Sequence, residues 1–476
     1  MPRLLARALL LLSATAAALA PVRAEVVVAS LFSDGAVLQR DKPVPLWGRA
    51  DPGEKVTITF AGQTREATAM HDGRWIAFLD PMPANAHGAD LTLTGKNTLT
   101  VRDVVVGEVW LCSGQSNMEW PVSRSLHAPA EIAAANYPAI RHVKIDHVVA
   151  ATPADSVKTS GWQAASPQTA GNFSAVAYFF ARDLHVRLEV PIGIVNCTWG
   201  GTPIEAWMSP AALREHPLAR TIDERWSQTL AEYPAKKALF DSSWAEWSQG
   251  EASAKAQGKA VYDAHLKKRP RLTEPPGPGH PWTPRSLYNG MVNPLVPYAL
   301  RGILWYQGEN NVDRPQEYAP LFHSMIASWR EHLGQGDLPF FWVSIAAFGY
   351  PTDSTGLRAA SLREAQASAL TLPNTGQALT IDIGNPTDIH PANKQEVGRR
   401  LALLARMRVY DGIGDDSGPT FASMAREGSA LRVRFTHASG GLIAYERPVQ
   451  SLQLAGADRT FHPAEARIDG DTILVY

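Results

Sequence analysis

The feature that most constrains the fold is an alternation of short apolar runs with helical stretches between about residues 106 and 410. The apolar runs at residues 104–112, 190–196 and 302–306 predict buried strands. Residues 174–188 predict a helix, with Ser174 as its N-cap. Strands that alternate with helices build a parallel sheet through βαβ units. We therefore predict an α/β domain with a parallel sheet over residues 106–410.

Three other segments differ from this pattern. Residues 25–105 contain short strands separated by turn signals, which is typical of a small β-sandwich. Residues 211–285 contain a charged, Ala-rich helical stretch and then a Pro-rich loop, and we interpret them as an insertion between core strands. Residues 411–476 have β character and stop at Tyr476 inside a predicted strand. Either the chain is truncated there or this C-terminal β region is short.

Residues 1–24 have the layout of a secretory signal peptide. Arg3 and Arg7 precede an apolar core that is too short to cross a bilayer. We therefore expect a mature chain that is secreted or periplasmic, and no other segment predicts a membrane span. Lys and Arg total 45 and Asp and Glu total 46, so the charge gives no support for a nucleic-acid partner. The oligomeric state is left open.

A candidate nucleophile lies where the first strand of the α/β domain ends. The apolar run at residues 104–112 leads into a Gly-Gln-Ser-Asn turn that exposes the hydroxyl of Ser116. Open α/β folds place their sites at the carboxyl ends of strands. Ser113 lies closer to the strand and is the poorer candidate. A serine is a weak nucleophile alone, so a base and an oxyanion hole are required elsewhere in the chain.

His390 is the best candidate for the base. It follows an apolar run at residues 377–383 and precedes a predicted helix at about residues 394–406, so it also lies after a strand end. Asp388, two residues earlier, is placed to orient the imidazole and to stabilise its charged form. His462 has a threonine at the corresponding position and is excluded.

Two further loops that follow strands offer donors for an oxyanion hole, which needs preorganised N–H groups. One is the Gly-rich loop after residues 190–196, where Gly201 lets a backbone N–H approach a ligand closely. The other follows the strand at residues 302–306. Its amide side chains, Gln307 and Asn310, are candidate donors to the oxyanion.

In their combination and order these loops resemble the SGNH (GDSL-like) hydrolases, most closely the sialate O-acetylesterase type. The matching blocks are WLCSGQSNM (110–118), WGGTPIEAW (199–207), LYNGM (287–291), WYQGE (305–309) and DIHP (388–391). The resemblance implies a three-layer α/β/α fold and an esterase that removes acetyl groups from sugar hydroxyls without a metal or other cofactor. It also implies Ser116 as nucleophile, His390 as base and Asp388 as its partner. Ser116, Gly201 and the loop at residues 307–311 would then form the oxyanion hole.

The chain departs from the superfamily pattern in several places. Asp388 is two residues before His390, where the superfamily has a spacing of three, so Asp382 is an alternative third triad member. The Gly-x-Asn-Asp block is matched only loosely at residues 308–311, which leaves Gln307 and Asn310 as competing donors. The remaining polar residues of these loops are expected to contact the substrate; they are Gln115, Asn117, Glu205, Glu309 and Asn311.

Two functions of different classes remain open. The first is an exported carbohydrate O-acetylesterase acting on O-acetyl sialic acid or on acetylated plant polysaccharide such as xylan or xyloglucan. The alternative is a catalytically inactive carbohydrate-binding or scaffold protein on the same fold. The presence of Ser116, His390 and Asp388 together favours the enzyme. A glycosidase would need two carboxylates flanking the bond, and Glu205 and Glu309 make it only a third choice.

The sequence leaves two structural questions open. Cys112 and Cys197 lie at neighbouring strand ends and either form a disulfide or are two buried apolar residues. Trp226, Trp244 and Trp247 in the insertion either stack on sugars or fill the core of a helical segment. No Cys or His spacing predicts a metal site.

Overall fold

The computed structural model describes residues 25–268, 272–438, 440–444 and 448–476. The predicted signal peptide, residues 1–24, lies outside the described residues.

Short strands precede the first helix and form two facing sheets. They are β1 (Val27–Val28), β2 (Val37–Gln39), β3 (Val44–Arg49), β4 (Lys55–Phe60), β5 (Gln63–Thr68), β6 (Arg74–Leu79), β7 (Asn85–Thr94) and β8 (Thr98–Gly114). One sheet has the order β1-β3-β6, and the other joins β5, β4, β7, β8 and β2. Side chains alternate between faces, so that Val56, Ile58 and Phe60 of β4 are buried in a shared core. The small β-sandwich predicted from the turn signals is confirmed.

Strand β8 connects the sandwich to the α/β domain. Its first part pairs with β7 and β2, and its residues from Glu108 to Gly114 pair with strands of the α/β domain. The predicted boundary at residues 105–106 therefore falls inside a continuous strand rather than in a linker.

The α/β domain is built on one twisted sheet that contains β8. Its other strands are β9 (Tyr137–Lys144), β10 (Gln163–Ala165), β11 (Ile192–Thr198), β12 (Gly302–Tyr306), β13 (Phe340–Val343) and β14 (Thr375–Ala378). The strand order is β10-β9-β11-β8-β12-β13-β14. Every neighbouring pair is parallel except β10 with β9, which is antiparallel. The predicted parallel sheet is thus present, with one short antiparallel strand added at its edge.

Helices cover both faces of this sheet. The helices are α1 (Ser116–Glu119), α2 (Ala128–Ala133), α3 (Ala175–Leu188), α4 (Pro210–Arg214), α5 (Ala219–Ala256), α6 (Lys259–Lys268), α7 (Pro315–Leu333), α8 (Leu357–Ser368) and α9 (Lys394–Val409). Phe180 of α3 and Leu401 of α9 belong to one core, and Phe322 of α7 and Leu362 of α8 belong to the other. The three-layer α/β/α arrangement is therefore confirmed. Ser174 caps α3 as predicted, because its side chain accepts a hydrogen bond from the backbone N–H of Ala177.

The two cysteines lie on opposite faces of the sheet. Cys112 of β8 is paired in register with Asn196 of β11, so Cys197 is one position further along. Since side chains alternate along a strand, Cys112 belongs to the core beneath α3 and α9 and Cys197 to the other core. Both are free thiols, and burial raises the pKa of each. They fill the core and form no disulfide.

The insertion contains two helices, and the C-terminal region contains short strands. Helices α5 and α6 occupy the Ala-rich stretch, and Trp247 is buried with its ring 5.1 Å from that of Trp244. The C-terminal strands are β15 (Thr420–Glu427), β16 (Ala430–Thr436), β17 (Gln453–Ala455), β18 (Phe461–Pro463), β19 (Ala466–Asp469) and β20 (Thr472–Val475). Among the described residues, no helix combines the length and the apolar character needed to cross a bilayer.

An ion triad with a buried carboxylate at its centre joins the sandwich to the α/β domain at the start of the sheet. Glu108 of β8 is fully buried and accepts hydrogen bonds from Arg40 of the sandwich and from Arg301 just before β12. Its Oε2 lies 2.6 Å from Nε of Arg301. Burial alone would raise the pKa of Glu108, but the hydrogen bonds from the two arginines lower it below its usual value.

Candidate active site

Ser116 is the first residue of helix α1, directly after the central strand β8. Gly114 has a φ of +131°, and a Cβ there would lie 2.2 Å from the carbonyl oxygen of Tyr306 in β12. Only glycine therefore allows β8 to run against β12 and then turn sharply. The turn leaves the Ser116 side chain partly exposed at the carboxyl end of the sheet.

The base predicted for Ser116 lies against it. Nε2 of His390 is 2.8 Å from Oγ of Ser116, although the two residues are 274 positions apart in the sequence. The imidazole stacks on Trp120, with ring centroids 4.6 Å apart and planes inclined by 15°. Burial, and then the positive charge of Lys394, lowers the pKa of His390 below its usual value. The ring is therefore held in one orientation and favoured in its neutral form, which can accept a proton.

The two candidate carboxylates for the third triad position differ in their surroundings. Oδ1 of Asp388 lies 3.8 Å from Nδ1 of His390 and accepts the backbone N–H of that histidine at 2.8 Å. Both oxygens of Asp382 accept hydrogen bonds from the guanidinium of Arg400, each at 2.6 Å. Asp388 is thus the carboxylate next to the imidazole, and Asp382 is engaged in an ion pair elsewhere.

The Gly-rich loop after β11 lies beside Ser116. A Cβ on Gly200 would be 3.2 Å from Cβ of Ser116, so this loop packs directly against the nucleophile. Gly201 has a φ of +70° and is exposed. Its backbone N–H and that of Ser116 have no acceptor among the described residues. Both are therefore available to an oxyanion.

Glu119 orders this loop, and the sequence analysis missed it. Its Oε2 accepts the backbone N–H of Gly200 at 2.7 Å, and its Oε1 lies 3.0 Å from both Lys144 and His147. Burial raises the pKa of Glu119, but these hydrogen bonds and charges lower it to about 2. The imidazole of His147 stacks on Trp199 with centroids 4.2 Å apart. An ionised Glu119 thus fixes the backbone next to Gly201.

The two amide side chains proposed as oxyanion donors differ in the number of hydrogen bonds that they already make within the protein. Gln307 is fully buried: its Nε2 donates to the carbonyl of Thr202 and to Oδ1 of Asn311, and its Oε1 accepts from Tyr318. Asn310 is partly exposed, and its Nδ2 donates to the carbonyl of Gly201 at 2.7 Å. An amide nitrogen carries two N–H groups, so Asn310 keeps one for a ligand and Gln307 keeps none.

Three residues expected to contact the substrate are instead buried in the wall of the site. Oε1 of Gln115 accepts the backbone N–H groups of Gly308 and Asn310, at 3.4 and 3.3 Å. Nδ2 of Asn311 donates to Oε2 of Glu205 at 2.9 Å. Oε1 of Glu205 in turn accepts from two arginines, Arg225 and Arg314. The structure thus gives Gln115, Glu205 and Asn311 a positioning role rather than a free polar face.

Asn117 and Glu309 form a buried cluster with Lys394, which the sequence analysis also missed. Oδ1 of Asn117 accepts from the ammonium of Lys394 at 2.5 Å, and its Nδ2 donates to Oε1 of Glu309 and to the carbonyl of Ile389. Burial lowers the pKa of Lys394 to about 7 and raises that of Glu309. A signal for Lys394 was available, because a lysine at the first position of a helix is disfavoured by the helix dipole.

The site as a whole combines a serine, a histidine in contact with it, a neighbouring carboxylate and free N–H donors. Such an arrangement can carry out acyl transfer through a covalent intermediate. In the part of the chain that the structure describes, no three His, Cys, Asp or Glu side chains are grouped as metal ligands.

Each comparison with known proteins finds acetylesterases. Residues 106–270 and 279–406 match the family model described as carbohydrate esterase, sialic acid-specific acetylesterase. The chain is 31% identical over 421 residues to mouse sialate O-acetylesterase, which covers 80% of this chain and 73% of the mouse protein. It is 30% identical over 422 residues to the human protein, which covers 80% of this chain and 71% of the relative. A solved carbohydrate acetylesterase from Xanthomonas citri is 37% identical, with a TM-score of 0.78 over 95% of this chain and 91% of its own.

Proposed function

Since the chain belongs to the sialic acid-specific acetylesterase family of carbohydrate esterases, it is a carbohydrate O-acetylesterase, and we propose that it works through a Ser116 acyl-enzyme. The observation that carries this proposal is the 2.8 Å contact between Oγ of Ser116 and Nε2 of His390. A serine hydroxyl in contact with a neutral imidazole is the nucleophile and base pair of serine esterases.

In the first half of the reaction, Nε2 of His390 takes the proton of Ser116 while Oγ attacks the acetyl carbonyl carbon. The carbonyl π electrons move to the oxygen, giving a tetrahedral oxyanion. This oxyanion is bound by the backbone N–H groups of Ser116 and Gly201 and by the free N–H of Asn310. When the C–O bond to the sugar breaks, protonated His390 returns its proton to the sugar oxygen, and the deacetylated carbohydrate leaves.

In the second half, His390 takes a proton from a water molecule that attacks the acetyl-enzyme. A second tetrahedral oxyanion collapses, the bond to Oγ of Ser116 breaks, and acetate is released as His390 returns the proton to Ser116. Asp388 stabilises the imidazolium that exists twice in this cycle. Its 3.8 Å separation from Nδ1 of His390 supports an electrostatic role.

The substrate class is part of the proposal. O-acetyl sialic acid and acetylated plant polysaccharide, such as xylan or xyloglucan, are the two candidates, and the family membership agrees with an acetylated carbohydrate in either case. Acetate release from a panel of both kinds of glycan distinguishes them. We also propose that the enzyme is exported and that residues 1–24 are its signal peptide. Sequencing the N-terminus of the mature protein tests this, and an uncleaved, cytoplasmic chain would contradict it.

The central experiment replaces the nucleophile. Ser116→Ala should lower kcat on an acetyl ester by a factor on the order of 10³ or more, because the acyl-enzyme cannot form. A fluorophosphonate should label wild type at Ser116 and not label the variant. Ser113→Ala is the matched control, since Ser113 lies three residues earlier at the end of β8 and its buried hydroxyl donates to the carbonyl of Cys197 at 2.6 Å. Full activity in Ser116→Ala would refute the mechanism. No acetate release by wild type from any glycan of the panel would favour the inactive binding protein.

A further inference from the structure

An exposed tryptophan is fixed beside the Gly-rich loop that carries Gly201. Trp282 comes from the last part of the insertion, after helix α6, and its ring Nε1 donates to the carbonyl oxygen of Gly201 at 2.6 Å. Its backbone N–H donates to Nδ1 of His280, and the two rings meet edge to face with centroids 5.2 Å apart. The residue is nevertheless 37% exposed. Trp282 is therefore held in one orientation while part of its ring faces solvent.

A cavity of about 130 Å³ adjoins this ring. Its lining includes Trp282 and Pro284 from the end of the insertion and Trp226 from helix α5. Asn310 also lines the cavity, and its Nδ2 donates to the same Gly201 carbonyl as Trp282. The cavity thus shares a residue with the proposed oxyanion hole, which places it next to the reacting ester.

The charged side chains at the cavity are held in ion pairs. Arg225 lies 3.3 Å from Glu205 and 2.6 Å from Glu317, and Arg314 lies 3.1 Å from Glu205. Glu205 and both arginines line the cavity, and Glu317, which pairs with Arg225, lies outside its lining. The surface left to a ligand consists of aromatic faces, hydrogen-bonding groups and arginines that are already paired with carboxylates. Such a surface favours the apolar face of a neutral sugar ring over an acidic one.

We propose that Trp282 and Trp226 form a subsite for a neutral glycosyl ring that is linked to the acetylated sugar. This inference rests on the proposed function, because it takes the acetyl group to lie at Ser116. Gly200, the residue before Gly201, packs against Ser116, so the ring on Trp282 is adjacent to the acetylated one. Binding of this neighbouring ring would orient the ester and would exclude water from one side of the site.

The first experiment measures binding without catalysis. Isothermal titration of the Ser116→Ala variant with non-acetylated xylohexaose and cellohexaose, and with trigalacturonic acid as a probe in which every ring is acidic, should detect binding of a neutral probe. Adding Trp282→Ala or Trp226→Ala should weaken that binding by a factor on the order of 10, which corresponds to about 1.4 kcal/mol. Failure of both neutral probes to bind, or binding of trigalacturonic acid alone, would overturn the proposal. This result does not depend on whether Ser116 is the nucleophile.

The second experiment separates stacking from support of the Gly201 loop. We expect Trp282→Ala to lower kcat/KM for acetylated oligosaccharides far more than for 4-nitrophenyl acetate, which has no neighbouring sugar ring. Trp282→Phe should recover most of the loss, since it keeps an aromatic face but lacks the N–H that Gly201 accepts. Trp244→Ala, in the same insertion but outside the cavity, is the control. Equal losses on both substrates, with no recovery in Trp282→Phe, would show that Trp282 only supports the loop.

Discussion

Truncation of the two amide side chains near the oxyanion, Asn310 and Gln307, should affect two different properties of the enzyme. Asn310→Ala removes a partly exposed donor whose second N–H is free, so it should impair the chemical step. Gln307→Ala removes a buried amide whose donors and acceptor are all bonded within the protein, so it should impair folding. One substitution tests catalysis and the other tests stability at positions only three residues apart.

The magnitudes follow from the contacts. Loss of one oxyanion donor costs about 10²–10³ in kcat, or about 2.7–4 kcal/mol of transition-state stabilisation. Asn310→Ala should leave stability almost unchanged, because the Gly201 carbonyl keeps its hydrogen bond from Trp282. Gln307→Ala leaves the buried Thr202 carbonyl without its donor and creates a cavity, while Asn311 and Tyr318 keep other partners. We expect a loss of about 2–4 kcal/mol in unfolding free energy.

The assay pairs kinetics with denaturation on the same preparations. Active enzyme is counted by fluorophosphonate titration, kcat and KM are measured by acetate release, and stability is taken from urea unfolding. Asn136→Ala, at an exposed asparagine after helix α2, is the control for the substitution itself. The reasoning is refuted if Gln307→Ala lowers kcat a hundredfold at unchanged stability while Asn310→Ala retains full turnover.

Three further predictions concern charge. kcat/KM should fall with decreasing pH through an apparent pKa below the ordinary histidine value of about 6.5, because burial and Lys394 lower the pKa of His390. Lys394→Met should move this acid limb to higher pH, and an unmoved profile would contradict the coupling. Asp388→Asn should lower kcat strongly with little change in KM, whereas a severe effect confined to Asp382→Asn would transfer the triad role. Glu108→Ala should cost about 1.5–3 kcal/mol in chemical denaturation, because it removes the charged hydrogen bonds that the buried carboxylate accepts from Arg40 and Arg301; a loss below about 0.5 kcal/mol would contradict this.

The sequence predicted which helices and strands are present better than the residues at which they begin and end. Periodicity identified β12 at its observed bounds and α3 with its cap, since both are continuous apolar patterns next to clear signals. The predicted strand at residues 377–383 was partly wrong: β14 ends at Ala378, and residues Ile381–Ile383 form a 3₁₀ turn. Strand β10 was missed because three residues carry too little pattern to detect.

For the site, the sequence identified residues by type and spacing but not their partners. Ser116 and His390 were recognisable because each lies after an apolar strand, and parallel strands bring those ends together. Glu119 was missed because its role depends on contacts with residues far away in the chain, and Lys394 was missed although its place at the start of a helix is a signal. The choice between Gln307 and Asn310 depends on which amide is already bonded, and that is a property of the packed structure alone.

The turn around the nucleophile is a junction of three loops as well as a catalytic element. Gln115 turns inward and binds backbone N–H groups of the loop after β12, while Ser116 points outward to His390. Asn117 turns inward on the other side and binds both the carbonyl of Ile389 and the ammonium of Lys394. The residues on either side of the serine therefore hold the loop after β12 and the loop that carries His390 at fixed positions relative to the Ser116 hydroxyl. Because positioning of this kind must be accurate to about 0.5 Å, substitutions of Gln115 or Asn117, whose side chains are buried, should act on turnover through geometry.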